Sequence, residues 1–452
     1  MKAWLVRGRH RPLRCPLRVL RSACLTLAAL LALPVASVPP RAPAKTAGKP
    51  VARKGKTPAK KPVEGAAIER AEALAPFFEA QRRLLGRGAG ADAAFSILRV
   101  AFFGDSHTAA GFWPARVRAI LQQRLGDGGP GLVLPARPWR GYPREDLAQE
   151  FNRHWPAECL RTAEANGRVG LTGASLGIPA EERLVLRGAF GGFRLHVLGP
   201  ETGEPRVAPP DPTADRPAAE PIPLRERARL PLGESQWLRV LEPSVAGPFP
   251  ALSLGLPEDL RLLGVDLVSG QPGAVVDELG LNGAELLDLE KWDPVVRAGL
   301  LAELHPALLV LAFGTNDLGR RDLDGAAYRA RAARLLQALQ EASGAPVLLV
   351  GPLDRLGRRR RGQNLKLGAR TVIEAMRGAC ADAGCAFWNA KAAMGGEGSI
   401  QRWRKQHLAQ RDLVHLTVGG YRKLADLMQK ALDDAETAWA AQPPAVGAVG
   451  PK

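Results

Sequence analysis

Four short stretches of this 452-residue chain carry the residue types from which acyl-transfer chemistry is built. Gly104-Asp105-Ser106-His107 closes an apolar run and precedes a helical pattern, so Ser106 falls where strand gives way to helix. A serine there projects at the carboxyl edge of a sheet, and N–H groups of the helix start face any negative charge that develops. The same tetrapeptide also reads as an ordinary β-α turn with serine as a helix cap. Gly314-Thr315-Asn316-Asp317 ends a second apolar run and brings the Asn316 amide to the same edge, as an oxyanion donor that needs no proton transfer. Alone it is another capped turn. In Leu279-Gly280-Leu281-Asn282-Gly283-Ala284, Gly283 has no Cβ to keep its N–H from a substrate oxygen, although a simple glycine turn explains it equally. Asp412-Leu413-Val414-His415 spaces a carboxylate and an imidazole three apart. Asp412 can accept the Nδ1 hydrogen of His415 and leave Nε2 to take a proton from serine, with helix-entry capping as the bland alternative.

The elements that must position these groups follow from periodicity. Ile97 to Phe103 is an apolar run stopped by Gly104, which fits a buried parallel strand, and Phe112, Trp113, Arg116, Val117, Ile120 and Leu121 then follow a helical period. Strands are expected again at Val275–Leu279, Ala307–Phe313, Pro346–Gly351 and Ala386–Ala390, with helices over Ala326–Ser343 and Leu365–Ala383 and a closing helix over Tyr421–Ala438. This alternation predicts an α/β fold, a parallel sheet covered on both faces. A helical pattern from Ile68 to Leu84 opens the folded part near Ala66. Between about 144 and 270 the pattern changes to period two, at Arg183–Arg187, Phe193–Leu198 and Trp237–Leu241, with residues 199–223 as a long loop. Antiparallel strands with one wet face, an inserted β-sandwich, are expected there.

The formal charge of +18 suggests a nucleic-acid partner until it is located: residues 1–63 hold 15 of the 63 Lys and Arg and no acid, leaving +3 for the rest. No nucleic-acid groove is therefore expected, although a basic tail is drawn to an anionic membrane or wall surface. Residues 1–37 read as an export signal, with seven Lys and Arg, an apolar run from Ala23 to Val35, and Val35-Ala36-Ser37 as the cleavage site. Retention of that segment as a signal anchor in the inner membrane is the alternative. Residues 38–65, rich in Pro, Ala and Lys, read as a disordered linker, and 439–452 as a disordered tail. The folded parts are then 66–143, the insert 144–270, and 271–438. Cys380 and Cys385 are expected as buried free thiols rather than a disulfide. No Cys or His cluster has metal-ligand spacing, so neither metal nor cofactor is expected.

The four blocks in chain order, Ser106, Gly283, Asn316 and Asp412-x-x-His415, resemble those of the SGNH (GDSL-like) hydrolases. The resemblance covers about residues 95–135 and 272–435 and implies a three-layer SGNH fold. It makes Ser106 the nucleophile, His415 the general base and Asp412 its orienting partner. The oxyanion hole would comprise the N–H groups of Ser106 and Gly283 with the Asn316 amide, and Asp105 and His107 would support the site. His107 stands where many relatives have leucine and is expected to pack or line the cleft rather than act as a second base. Gly126-Asp127-Gly128-Gly129-Pro130-Gly131, together with the insert, is similar to the exported peptidoglycan O-acetylesterases, whose sandwich resembles a carbohydrate-binding module. The implied activity is hydrolysis of O-acetyl esters on a polysaccharide, with acetylated peptidoglycan as partner. Acyl transfer to a sugar hydroxyl and a non-catalytic wall-binding protein are the competing readings. Two further features carry hypotheses: a basic loop at Arg358–Arg361, and Trp139, Trp155 and Trp237 as sugar-stacking or core residues.

Overall fold

Alternation along Ile97–Gly104 decides how the catalytic sheet is covered. Leu98, Val100 and Phe102 point into one apolar layer and Ala101 and Phe103 into the other, as the period-two geometry of a strand requires. In the computed structural model the described residues are 67–86, 97–136, 144, 147–151, 155, 157–161, 166–177, 184–210, 220–233, 235–320, 323–356 and 365–442. The expected signal, linker, Arg358–Arg361 loop, Trp139 and most of the expected tail lie outside them.

The sheet has the order Ile68–Glu69, Ala386–Trp388, Val347–Val350, Leu308–Ala312, Ile97–Gly104, Gly273–Gly280. Every pair is parallel except the first, where Ile68–Glu69 runs antiparallel to Ala386–Trp388. Helices Ala75–Gly86, Phe112–Leu125 and Val418–Ala440 cover one face, and Pro294–Leu304, Gly325–Ser343 and Leu365–Asp382 the other. This is the three-layer architecture of the SGNH hydrolases. The opening segment differs from the continuous helical pattern: a two-residue edge strand precedes the helix, and Arg70, at φ 53°, turns the chain between them.

The insert packs two antiparallel sheets face to face. One has the order Leu224–Pro231, Trp237–Pro243, Gly192–Gly199, Arg261–Val268, Ala174–Gly177, Ala157–Cys159, with Gly131–Val133 also paired to Arg261–Val268; the other runs Ala148–Glu150, Leu184–Phe190, Phe249–Gly255, Arg206–Ala208. Phe190, Phe193, Leu195, Val197, Leu252 and Leu262 fill the space between them. Gly131–Val133 joins this sheet from ahead of residue 144, and Arg206–Ala208 forms within the stretch read as a loop. Three residues are too few to show alternation.

Cys380 and Cys385 form a disulfide, correcting the expectation of two free thiols. The tight turn after helix Leu365–Asp382 brings their Cα atoms to 4.9 Å, within bonding range. Among the described residues no helix is long and apolar enough to cross a membrane.

Candidate active site

The strand that leads to Ser106 ends at a crowded point. A Cβ at Gly104 would lie 2.0 Å from Thr108 Oγ1 and 2.7 Å from Ala312 O, so the turn closes this tightly only around glycine. Asp105 then caps the short helix Ser106–Ala109, its carboxylate accepting the His107 N–H at 2.9 Å. Ser106 is thereby presented at the carboxyl edge of the sheet. Its Oγ lies 2.9 Å from His415 Nε2, although 309 positions separate them.

His415 is aimed by its own turn. Asp412 Oδ1 accepts the N–H groups of Val414 and His415, both at 3.0 Å, while Oδ2 accepts from His415 Nδ1 at 2.7 Å. With Nδ1 protonated, Nε2 carries a lone pair that can accept a proton from Ser106. Leu413, at φ 55°, tightens the turn, and its carbonyl accepts the Leu356 N–H. Partial burial works against the Asp412 charge, but the imidazole and the two N–H donors outweigh it and hold this carboxyl below its ordinary range.

Asn316 follows strand Leu308–Ala312, and one hydrogen of its amide goes to Ala284 O at 2.9 Å. The second hydrogen remains for a substrate oxygen. Among the described residues no acceptor engages the N–H of Ser106 or Gly283. Asp317, next in the block, accepts from the buried Tyr328 hydroxyl at 2.6 Å, and burial pushes its carboxyl up to about 6.

The two supporting residues are buried behind the relay. Burial pushes Asp105 up to about 6, against the pull of the His107 N–H and the Thr315 side chain. His107 is 1% exposed, with Nδ1 3.0 Å from the Tyr421 hydroxyl and its ring 5.3 Å from that of His415. Burial first, then the neighbouring His415 and Arg355, push it down to about 3, so it is neutral and packs. Trp155 is buried in the sandwich core, and Trp237 lies half-buried under Arg229. Among the described residues no group of three or more His, Cys, Asp or Glu is placed to hold a metal ion.

Two arginines at this edge stand apart from the four blocks. Arg355 Nη1 donates to Thr315 O at 2.6 Å, tying the Asn316 turn to the segment that holds Leu413. Arg161, from the insert, donates to Asn282 O at 3.0 Å. Nothing in the sequence around Arg161 signals this, because its neighbours are supplied by the fold.

The fold is similar to that of the SGNH, GDSL-like hydrolases, and the relay has the geometry of a serine hydrolase. Residues 255–423 match the family model described as GDSL-like Lipase/Acylhydrolase, a span that begins within the insert, at the end of strand Phe249–Gly255, and includes Gly283, Asn316, Asp412 and His415 but not Ser106. Among solved structures, a peptidoglycan O-acetylesterase is similar over 82% of this chain and 99% of its own, at 21% identity and a TM-score of 0.66. A lipase/acylhydrolase from Enterococcus faecalis is 19% identical over 37% of this chain and 77% of its own, with a TM-score of 0.28. A variant of an acetyl-xylooligosaccharide esterase from Geobacillus Stearmophilus is 18% identical over 35% and 73%, with a TM-score of 0.28. No curated protein sequence matches significantly.

Proposed function

We propose that the protein is an exported esterase that removes O-acetyl groups from a cell-wall polysaccharide, with O-acetylated peptidoglycan as substrate, through an acyl-Ser106 intermediate. The observation that carries the chemistry is the continuous relay from Ser106 Oγ through His415 to Asp412, at 2.9 and 2.7 Å. His415 Nε2 takes the hydroxyl proton as Oγ bonds to the acetyl carbon. The carbonyl oxygen becomes an oxyanion held by the N–H groups of Ser106 and Gly283 and the Asn316 amide. Collapse breaks the bond to the sugar oxygen, which leaves with the proton from His415. Water, deprotonated by His415, then attacks the acetyl-serine, releasing acetate and restoring the Ser106 hydroxyl.

The likeness over 82% of the chain to a peptidoglycan O-acetylesterase supports this choice of substrate. The basic, then apolar start of the chain supports export to the cell envelope, where such a polymer lies. Acetate release from O-acetylated peptidoglycan and from acetylated xylan, by wild type and Ser106→Ala, tests both parts. Release from peptidoglycan by wild type alone is expected. Release from xylan only would move the substrate, and equal release by the variant would remove the mechanism.

A further inference from the structure

The turn that carries Gly283 is held from outside the catalytic sheet. Ala284 N–H donates to Leu281 O at 3.1 Å, closing a four-residue turn. Its third residue, Gly283, has φ +73°, while Asn282 is not among the non-glycine residues of positive φ. Negative φ followed by positive φ marks a type II turn. Type I and type II share their end residues and differ by a rotation of the central peptide, here Asn282–Gly283, of roughly half a turn. Glycine in the third position accepts both forms, so the turn has no lock of its own. Because one peptide unit is planar and trans, its C=O and N–H point in opposite directions. Whatever fixes Asn282 O therefore aims Gly283 N–H.

Arg161 fixes it. Its Nη1 donates to Asn282 O at 3.0 Å and lies 2.6 Å from where a Cβ on Gly283 would be, so the guanidinium lies directly over this peptide. Arg161 Nε is 3.7 Å from Asp288 Oδ2, and that carboxylate is shared with Lys291 at 2.7 Å. Arg161 follows the sandwich strand Ala157–Cys159. Leu160, beside it, is buried in the same apolar cluster as Leu281 and Ala284, and its N–H donates to Gly173 O at 2.8 Å. The arginine is thus anchored next to the turn by residues of the insert.

We propose that Arg161 is a positioning residue through which the inserted sandwich holds the Asn282–Gly283 peptide with its N–H toward the oxyanion. Donation to the carbonyl also polarises the same peptide and strengthens its N–H as a donor. Without the guanidinium the peptide is free to rotate and turn its carbonyl, instead of its N–H, toward the substrate oxygen. The inference rests on the assignment of Gly283 to the oxyanion hole under the proposed function. It makes the insert part of the catalytic machinery, in addition to any role in holding polymer.

The test uses the full chain and 4-nitrophenyl acetate, a small neutral ester that offers Arg161 neither charge nor polymer to grip. kcat, KM and the pH profile are measured for wild type, Arg161→Ala, Arg161→Lys and Ser106→Ala. In Arg161→Ala, kcat is expected to fall about 10- to 100-fold, somewhat less than the loss of a whole oxyanion donor. KM should stay within about twofold, and the acid limb of the pH profile should keep its position, as neither a displaced His415 nor a loosened site would allow. Arg161→Lys keeps a donor and is expected to recover most of the rate. A wild-type kcat in Arg161→Ala, a loss carried by KM, or equal losses in both arginine variants would overturn the proposal. Ser106→Ala keeps the two ideas apart: if it is inactive while Arg161→Ala is unimpaired, only the latch falls, whereas activity in Ser106→Ala removes the hydrolase reading itself.

Discussion

At the scale of single residues, the Asp412–His415 pair and the two residues behind it differ in solvation. Asp412 and His415 are partly open to solvent, with side chains 44% and 36% exposed, while His107 and Asp105 are sealed beneath them. That burial has a pH signature. His107 takes up a proton near 6.5 in the unfolded chain but near 3 when folded, so its contribution to stability is intact above 6.5 and is lost as pH falls toward 3. Asp105 acts in the opposite sense: raised to about 6 from 3.8, it gains stability as pH falls between those values. His107→Gln removes the first effect and leaves the second. Denaturant unfolding from pH 7 to pH 4 is expected to show wild type losing stability relative to the variant as pH falls; parallel curves would show that His107 is not held neutral. Ser106, Asn316, Asp412 and His415 were legible in the sequence because each block is contiguous and ends a recognisable strand or opens a helix. Arg161 was not, since its contact with Asn282 spans 121 positions and exists only once the insert is folded.

At the scale of elements, the insert is joined to the catalytic sheet by a buried charge cluster. Arg99, on strand Ile97–Gly104, reaches Asp266 of the sandwich and Asp277 of the neighbouring strand Gly273–Gly280, each at 2.8 Å. Burial opposes both carboxylates; Arg99 outweighs it at Asp266, which is held below its ordinary range, while at Asp277 burial and the neighbouring Asp266 win and the carboxyl is pushed up. Arg99→Ala would remove the cation that Asp266 and Asp277 share, leaving Asp266 only Arg194 at 3.8 Å, and is expected to cost about 3–5 kcal/mol in denaturant unfolding. A loss below about 1 kcal/mol would mean that the cluster does not hold the two parts together. In the sequence Arg99 reads as a flaw in an otherwise apolar strand, and its partners, 167 and 178 positions away, give no local signal. Long strands and helices were legible because apolar periodicity repeats over several residues. Ile68–Glu69, Gly131–Val133 and the Cys380–Cys385 bond were not, because each is fixed by what the fold brings alongside.

At the scale of the whole molecule, the α/β sheet carries the four blocks, and the sandwich interrupts the chain between Ser106 and the other three. The alternation between 144 and 270 made the insert visible in the sequence. Its reach into the active-site edge was not visible, because period two reports which face of a strand is wet and not which neighbour a turn touches. The central claim is that Ser106 is the acylated nucleophile of this assembly. It is tested most directly by treating the full chain with a fluorophosphonate and locating the adduct by peptide mass spectrometry, while following loss of esterase activity. One adduct, on Ser106, forming in step with inactivation and absent when His415 is replaced by alanine, is the expected result. Inactivation with the label on another residue, or full labelling of Ser106 with activity intact, would contradict it.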